Sequence, residues 1–322
     1  MRMTRQGFIR KGLALALVLA SSTVLGWGGQ AFAADKVLHI GYQKYGTLVL
    51  LKARGTLEAK LEPLGYDVEW AEFPGGPQLL EALNVGAVDF GTTGETPPIF
   101  AQAAGAPLVY IAHEPAAPKG EAILVQKDSA IQSVADLKGK KVALNKGSNV
   151  HFLLVKALEE AGLAYSDIQP VFLAPADGRA AFESGAVDAW VIWDPFQAAA
   201  EAATGARTLR NGEGIVPNHQ FYLGTKSFVA EDKAVVDTLL ASIAETDDWL
   251  KANGQDAADE LAPSVGIPAD ILKVAIDRQG YGVKPLDEAV IRQQQEIADT
   301  FNALGLIPKK IDISEALYRP GS

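Results

Sequence analysis

The sequence predicts an α/β protein of two lobes. Each lobe is a mostly parallel sheet flanked by helices, and two chain crossings join them. Three observations carry that expectation. Strand-like and helix-like runs alternate along the whole chain, which is how parallel strands joined by helices read in sequence. The word Gly-Ala-Val-Asp occurs twice, at residues 86–89 and 185–188, in matching surroundings. The 322 residues, 48% hydrophobic and 21% charged, supply apolar mass for two domains of ordinary size.

The elements follow in order. Val37-Leu38-His39-Ile40-Gly41 reads as a strand running into a glycine loop. Next comes a helix carrying Leu50, Ala53, Leu57 and Leu61, stopped by residues 63–65. Residues 66–73 alternate as a strand, and Gly75-Gly76-Pro77 opens a helix with Leu79, Leu80 and Leu83. The first copy of the repeated word continues into Phe90-Gly91-Thr92-Thr93-Gly94-Glu95-Thr96-Pro97, the second into Ala189-Trp190-Val191-Ile192-Trp193-Asp194-Pro195. Each copy follows a helix, runs through a short strand to an acid, and meets a proline suited to a first helical turn. An upstream pair matches as well. Ile40-Gly41-Tyr42-Gln43 precedes a helix from Thr47. Val142-Ala143-Leu144-Asn145-Lys146-Gly147-Ser148-Asn149 precedes a helix carrying Leu154, Leu158 and Ala161. Two lobes of one plan explain the repetition.

Glu114-Pro115-Ala116-Ala117-Pro118 is a stiff extended stretch, because each proline biases its predecessor away from helix. His219-Gln220-Phe221-Tyr222-Leu223 is a second extended run. If both cross, residues 34–118 and 220–322 form lobe 1 and residues 119–219 form lobe 2. A C-terminal helix with Val290, Ile297, Phe301 and Leu304 on one face is then expected to return onto lobe 1.

The first residues read as an address. Arg2, Arg5, Arg10 and Lys11 make a basic start, residues 13–20 a short apolar run, and Ala31-Phe32-Ala33 a small-x-small cleavage signal. Cleavage after Ala33 predicts an exported chain. The formal charge of −10 becomes −14 once those four basic residues are removed. Both methionines, Met1 and Met3, leave with the signal, and there is no cysteine, so the mature chain holds no sulfur atom.

Composition and motifs exclude several kinds of chemistry. The acidity argues against nucleic-acid binding, which needs a basic face. Without cysteine there are no disulfides, thiolate metal sites or thiol nucleophiles. The chain has no phosphate-binding Gly-x-x-x-x-Gly-Lys-Ser/Thr loop, no Gly-x-Ser-x-Gly elbow and no His-Glu-x-x-His. His39, His113, His151 and His219 lack ligand spacing, and His113-Glu114 reads as a surface turn. No cofactor, no metal and no enzyme activity are expected.

What remains is a set of loops with free backbone N–H groups. In open parallel sheets, ligands sit beyond the carboxyl ends of the strands, at helix N-termini that favour anions. Gly41-Tyr42-Gln43, Gly75-Gly76, the loop from Thr92 to Thr96, and Lys146-Gly147-Ser148-Asn149 are four such loops. Trp193-Asp194-Pro195 adds an aromatic wall. Placed at equivalent points of two lobes, they predict a cleft with a locally positive site in an acidic protein.

These same segments resemble the periplasmic aliphatic sulfonate-binding proteins of ABC importers. The resemblance is carried by residues 41–46, 73–78, 93–98, 144–151, 190–196 and 219–222, in order across the mature chain. It implies the type II periplasmic-binding-protein fold, closing by a hinge over an alkanesulfonate. It also implies delivery to an inner-membrane permease with its cytoplasmic ATPase, and a monomer in the periplasm. By similarity the contact residues are Gln43, Gly76, Thr93, Gly94 and Glu95 from lobe 1, with Ser148, Asn149, Trp193 and Asp194 from lobe 2. Binders of taurine, nitrate and thiamine precursors share the broader fold and stand as alternatives, as does an exported enzyme of the thiamine-precursor type. A sulfonate accepts hydrogen bonds and donates none, so uncharged donors suit it. Glu95 and Asp194 are expected to turn back toward backbone donors. A scavenger made when sulfate is short would also be well served by a sulfur-free chain.

Overall fold

The computed structural model describes residues 36–319. The expected signal segment, residues 1–33, lies outside the described residues. The chain begins with β1 (Lys36–Tyr42), α1 (Gly46–Arg54), α2 (Glu58–Leu61), β2 (Tyr66–Glu72), α3 (Gly76–Asn84), β3 (Phe90–Gly94), α4 (Pro97–Ala103) and β4 (Leu108–His113). It crosses and continues with β5 (Glu121–Val125), β6 (Lys141–Leu144), α5 (Asn149–Glu160), β7 (Gln169–Phe172), α6 (Pro175–Glu183), β8 (Ala189–Trp193), α7 (Phe196–Thr204) and β9 (Arg207–Asn211). It then returns as β10 (Gln220–Thr225), α8 (Lys226–Glu231), α9 (Lys233–Ala252), α10 (Gly254–Val265), α11 (Ala269–Arg278) and α12 (Glu288–Ala303).

The strands form two five-stranded sheets on one plan, β2-β1-β3-β10-β4 and β7-β6-β8-β5-β9. The pairs β1–β2 and β1–β3 are parallel, as are β6–β7 and β6–β8. One strand per sheet runs the other way, β10 in the first and β5 in the second. These are the strands entered directly from a crossing. The repeated Gly-Ala-Val-Asp word leads into β3 and β8, which hold equivalent places. Burial explains the near-continuous apolar run of β8, whose five residues are all buried. Gly41 and Gly91 let α3 settle on its sheet, because a Cβ on either would come within 2.9 Å of Leu79.

Three sequence expectations change in detail. The long helix through Leu61 is broken, because Gly55 adopts a left-handed φ of 62° and ends α1. The periodicity of Leu50, Ala53, Leu57 and Leu61 survives across the break, which is why it reads as one helix. The His113-Glu114 pair is not a surface turn, since the two residues are 5% and 3% exposed. The C-terminal helix buries Val290, Ile297 and Phe301, but Leu304 lies past its end and is exposed. That helix also does more than pack on the first sheet's side. The Phe301 ring meets Phe100 of α4 at 5.0 Å and His151 of α5 at 5.2 Å, so α12 touches both lobes.

The crossings lie side by side. The Glu114 N–H donates to Gln220 O at 2.8 Å, Ala117 N–H to Pro217 O at 3.0 Å, and Gly212 N–H to Pro118 O at 2.9 Å. Asn218, with φ of 52°, donates through its amide to Ala117 O at 2.9 Å. A short polar side chain tolerates that backbone conformation better than most.

Candidate functional site

The loops at the carboxyl ends of β1, β3, β6 and β8 meet between the two sheets. Residues without side chains mark the closest approaches. A Cβ on Gly94 would lie 2.0 Å from Asn149 Oδ1, and one on Gly75 would lie 2.7 Å from Asn145 Nδ2 and 3.6 Å from Trp193 Cη2. The Thr93-Gly94 turn therefore stands against the Ser148-Asn149 turn, and the start of α3 against Asn145 and Trp193. Within lobe 1, a Cβ on Gly76 would press on Pro97 and Thr93, so the N-termini of α3 and α4 converge on Thr93. Neither α3 nor α5 has a side-chain cap at its first turn, which leaves N–H groups at both helix starts without that partner.

The hydrogen bonds tie these turns down. Gln43 Nε2 donates to Thr92 O at 3.1 Å and to Tyr45 Oη at 3.3 Å; Tyr45 in turn donates to Gln220 Oε1 at 2.7 Å. Thr93 Oγ1 donates to Gly94 O at 3.0 Å, and Ser148 Oγ to Asn145 O at 2.7 Å. Asn149 Nδ2 donates to Asn218 Oδ1 at 2.6 Å, linking the start of α5 to the second crossing. Two donors in this group have no partner, Asn145 Nδ2 and the Trp193 indole Nε1, although their residues are only 6% and 5% exposed. An unpaired buried donor costs about 1–3 kcal/mol, so both mark a place for an acceptor.

The two acids at the strand ends turn to backbone donors. Glu95 Oε2 accepts from the His219 N–H at 2.9 Å, and Asp194 Oδ1 accepts from the Ala198 N–H at 3.0 Å in the first turn of α7. Burial pushes the Glu95 carboxyl up to about 8, against the lowering effect of backbone N–H groups at His219 and Asn218. Burial also pushes Asp194 up to about 6, and Arg278 opposes that shift. Each acid thus uses one oxygen to accept from a backbone N–H, and Glu95 stays beside the turns that hold Gly94 and Asn149 through its bond to His219.

Sequence reasoning missed several residues that the fold brings in. Asn145 lay in a quoted loop but carried no signal beyond its neighbours. Glu121 heads an otherwise apolar strand and is the register partner of Trp193; a lone acid before Ala-Ile-Leu-Val was the legible clue. Asn218 gave none. Arg278, on α11, reaches Asp194 Oδ2 at 3.4 Å and Glu201 Oε2 at 2.8 Å, pinning the returning helices to α7. Arg278→Met leaves the fully buried Asp194 without its cation. Because Arg278 is partly exposed, the expected loss is modest, about 1–2 kcal/mol, or roughly 2–6 °C in Tm. Scanning calorimetry checks it, and Asp194→Asn in the same chain is expected to restore most of the loss.

A family profile described as NMT1/THI5 like matches residues 63–257. A protein of Escherichia coli strain K12 named as an aliphatic sulfonates-binding protein is 44% identical over 310 residues, 96% of each chain. The solved structure of the alkanesulfonate-binding protein SsuA from Xanthomonas axonopodis pv. citri, bound to MOPS, superposes with a TM-score of 0.85 at 42% identity. It covers 88% of this chain and 98% of that one. The periplasmic aliphatic sulphonate binding protein SsuA of Escherichia coli superposes with a TM-score of 0.80 at 45% identity, over 89% and 93% of the two chains.

Proposed function

From the premise that this chain belongs to the family of aliphatic sulfonate-binding proteins, we propose that it captures aliphatic sulfonates between its lobes and delivers them to an ABC permease. It is a substrate-binding protein with a two-lobed periplasmic-binding-protein fold. In this reading lobe 1 comprises residues 34–118 and 220–322 and lobe 2 residues 119–219. The chain works as a monomer in the periplasm after losing residues 1–33, and carries out no catalysis. The ligand is held by Gln43, Gly76, Thr93, Gly94 and Glu95 on one side and by Ser148, Asn149, Trp193 and Asp194 on the other.

The observation that carries the reading is the pair of unpartnered buried donors, Asn145 Nδ2 beside the uncapped start of α3 and Trp193 Nε1 on the indole whose Cη2 edge approaches the same helix start. A sulfonate offers three acceptor oxygens, one negative charge and no donor. Helix N-termini and neutral N–H groups suit such a head group. Hydrogen bonds to a charged group contribute about 1.5–3 kcal/mol each. Three or four of them supply about 5–12 kcal/mol against the cost of immobilisation, and burial of the alkyl tail at ~0.8 kcal/mol per methylene brings the net toward the ~8 kcal/mol of a micromolar constant. Glu95 and Asp194 also hold their loops, each through one oxygen bonded to a backbone N–H group.

Titration calorimetry with linear alkanesulfonates, sulfate, taurine and nitrate tests this. Alkanesulfonates are expected to bind, and each added methylene to tighten binding about fourfold, from ~0.8 kcal/mol of burial, until the apolar wall is full. Sulfate is expected to bind far more weakly, since its second charge has no cation to meet. Binding of nitrate or taurine with no heat from any alkanesulfonate would overturn the reading.

A further inference from the structure

Two buried carboxyls flank the place where the Gly94 turn stands against Asn149, and the anion-holding role leaves one of them unexplained. Glu95 follows β3 in the first sheet, and Glu121 begins β5 in the second. Both are fully buried. Glu95 Oε1 and both oxygens of Glu121 find no hydrogen-bond donor. Glu121 is paired in register with Trp193 on β8, and Asn149 stands beside it, so it belongs to the same wall as the proposed ligand contacts.

The groups facing the pair come from every neighbouring element. They are Tyr45 from the loop after β1, His219 from the second crossing, Asn149 from α5, Trp193 from β8, and each acid for the other. Tyr110 of β4 stands one step behind, bonded to the Gln294 amide that also donates to Glu95 O. No lysine or arginine stands among them. Arg278 is already engaged by Asp194 and Glu201. Two ionised carboxylates buried together beside an anion, with no cation, would be strongly unfavourable.

We propose that Glu95 and Glu121 form one proton-holding pair in the wall of the ligand site, and that closing the lobes over a sulfonate takes a proton from solvent onto it. The inference rests on the sulfonate-binding reading above. When the lobes separate, each carboxyl meets water and ionises in the ordinary way. When they close, burial and mutual repulsion favour the neutral form; burial is the larger cause for Glu121, the Glu95 charge the next. A neutral carboxyl also carries an O–H, which turns an obstacle to the anion into a donor toward it. The sign follows: the closed state binds more protons than the open one, so affinity falls as pH rises above the ordinary carboxyl range. Both carboxyls are raised chiefly by burial, and the proton is not assigned to one member.

The test uses the full mature chain and butane-1-sulfonate, which stays ionised throughout, so that the ligand contributes no proton. Titrations at pH 7 in two buffers of different ionisation heat should differ by the heat of about one proton taken up per ligand, and affinity should fall by up to about tenfold per pH unit between pH 6 and 8. Glu121→Gln combined with Glu95→Gln keeps both shapes and a donor on each; the double variant should flatten the pH dependence and bind better than the parent at pH 8, and Glu121→Gln alone should leave the part that belongs to Glu95. Binding whose heat ignores the buffer and whose affinity is flat with pH overturns the proposal while leaving the sulfonate reading intact. So does a marked preference for 3-aminopropanesulfonate over butane-1-sulfonate that Glu121→Gln removes, since the pair would then hold an ammonium. Absence of any sulfonate binding overturns both.

Discussion

Gly94→Ala is expected to weaken alkanesulfonate binding about 100-fold while leaving the unliganded lobes folded. The added methyl would sit 2.0, 2.4 and 2.8 Å from Oδ1, Cγ and Nδ2 of Asn149, overlapping the whole amide. That amide has little room to swing away, being 6% exposed and bonded to Asn218. Overpacking costs about 1–3 kcal/mol. Displacing Asn149 removes a hydrogen bond of about 1 kcal/mol besides, and the sum corresponds to two decades of affinity. The clash exists only where the two turns meet, so the Tm without ligand should move little. A second change separates clash from side effects: Asn149→Ala should cost far less in the Gly94→Ala chain than in the parent, as coupled neighbours do. Parent-like binding by Gly94→Ala would mean that these turns do not close on the ligand.

Above neutrality the folded chain should lose stability as pH rises, and Glu114→Gln should remove much of that loss. Glu114 sits at the start of the first crossing, 3% exposed. Its Oε1 accepts from Tyr222 Oη at 2.8 Å, and its carboxyl faces Asp247. Asp247 is itself occupied by Thr47 Oγ1 at 2.5 Å and by the N–H groups of Gly282 and Val283 at 3.1 and 3.0 Å. Burial first, and the Asp247 charge second, push Glu114 from 4.5 to about 9. The folded state therefore holds a proton that the unfolded chain has released. Stability from this group is complete below about pH 4.5 and drains away up to about pH 9. Below pH 6.5 buried His151, lowered to about 4, works the opposite way; above 6.5 Glu95, raised to about 8, acts in the same direction as Glu114, so the Glu114→Gln variant rather than the parent alone isolates the Glu114 share. Glutamine copies the neutral acid, accepting from Tyr222 and donating to Asp247. At pH 8 it should add up to about 4–5 kcal/mol, at 1.36 kcal/mol for each unit above the ordinary 4.5. Urea unfolding at pH 6.5 and 8.5 checks this; equal parent midpoints at both would count against a protonated Glu114.

Most of the plan was legible, because parallel strands, helix starts and the twofold word each leave local marks. The turns carrying Thr93-Gly94 and Ser148-Asn149 are visible as glycine loops between strand and helix, a pattern that ordinary helix capping also produces, and the family resemblance singled out their residues. The reversal of β5 and β10 was not legible: strand direction is set by where a crossing delivers the chain, and apolar runs look the same both ways. Glu121 and Asn218 escaped for a related reason. Their roles arise from contacts between segments far apart in sequence, such as Asn149 with Asn218, which no local pattern encodes. The burial of His113 and Glu114 was misjudged because a proline-rich neighbour suggests surface, whereas Tyr222 and the returning helices cover them.

The backbone bonds between the crossings restrict how one half of the molecule can turn against the other. Two separate strings would let it twist, slide and rock; two strings laced along their length make a single leaf that bends about one axis. A partner that has to be gripped between the halves then needs to still only that one soft coordinate. The entropy lost on gripping stays small, and each half can be rigid without making the whole slow to shut.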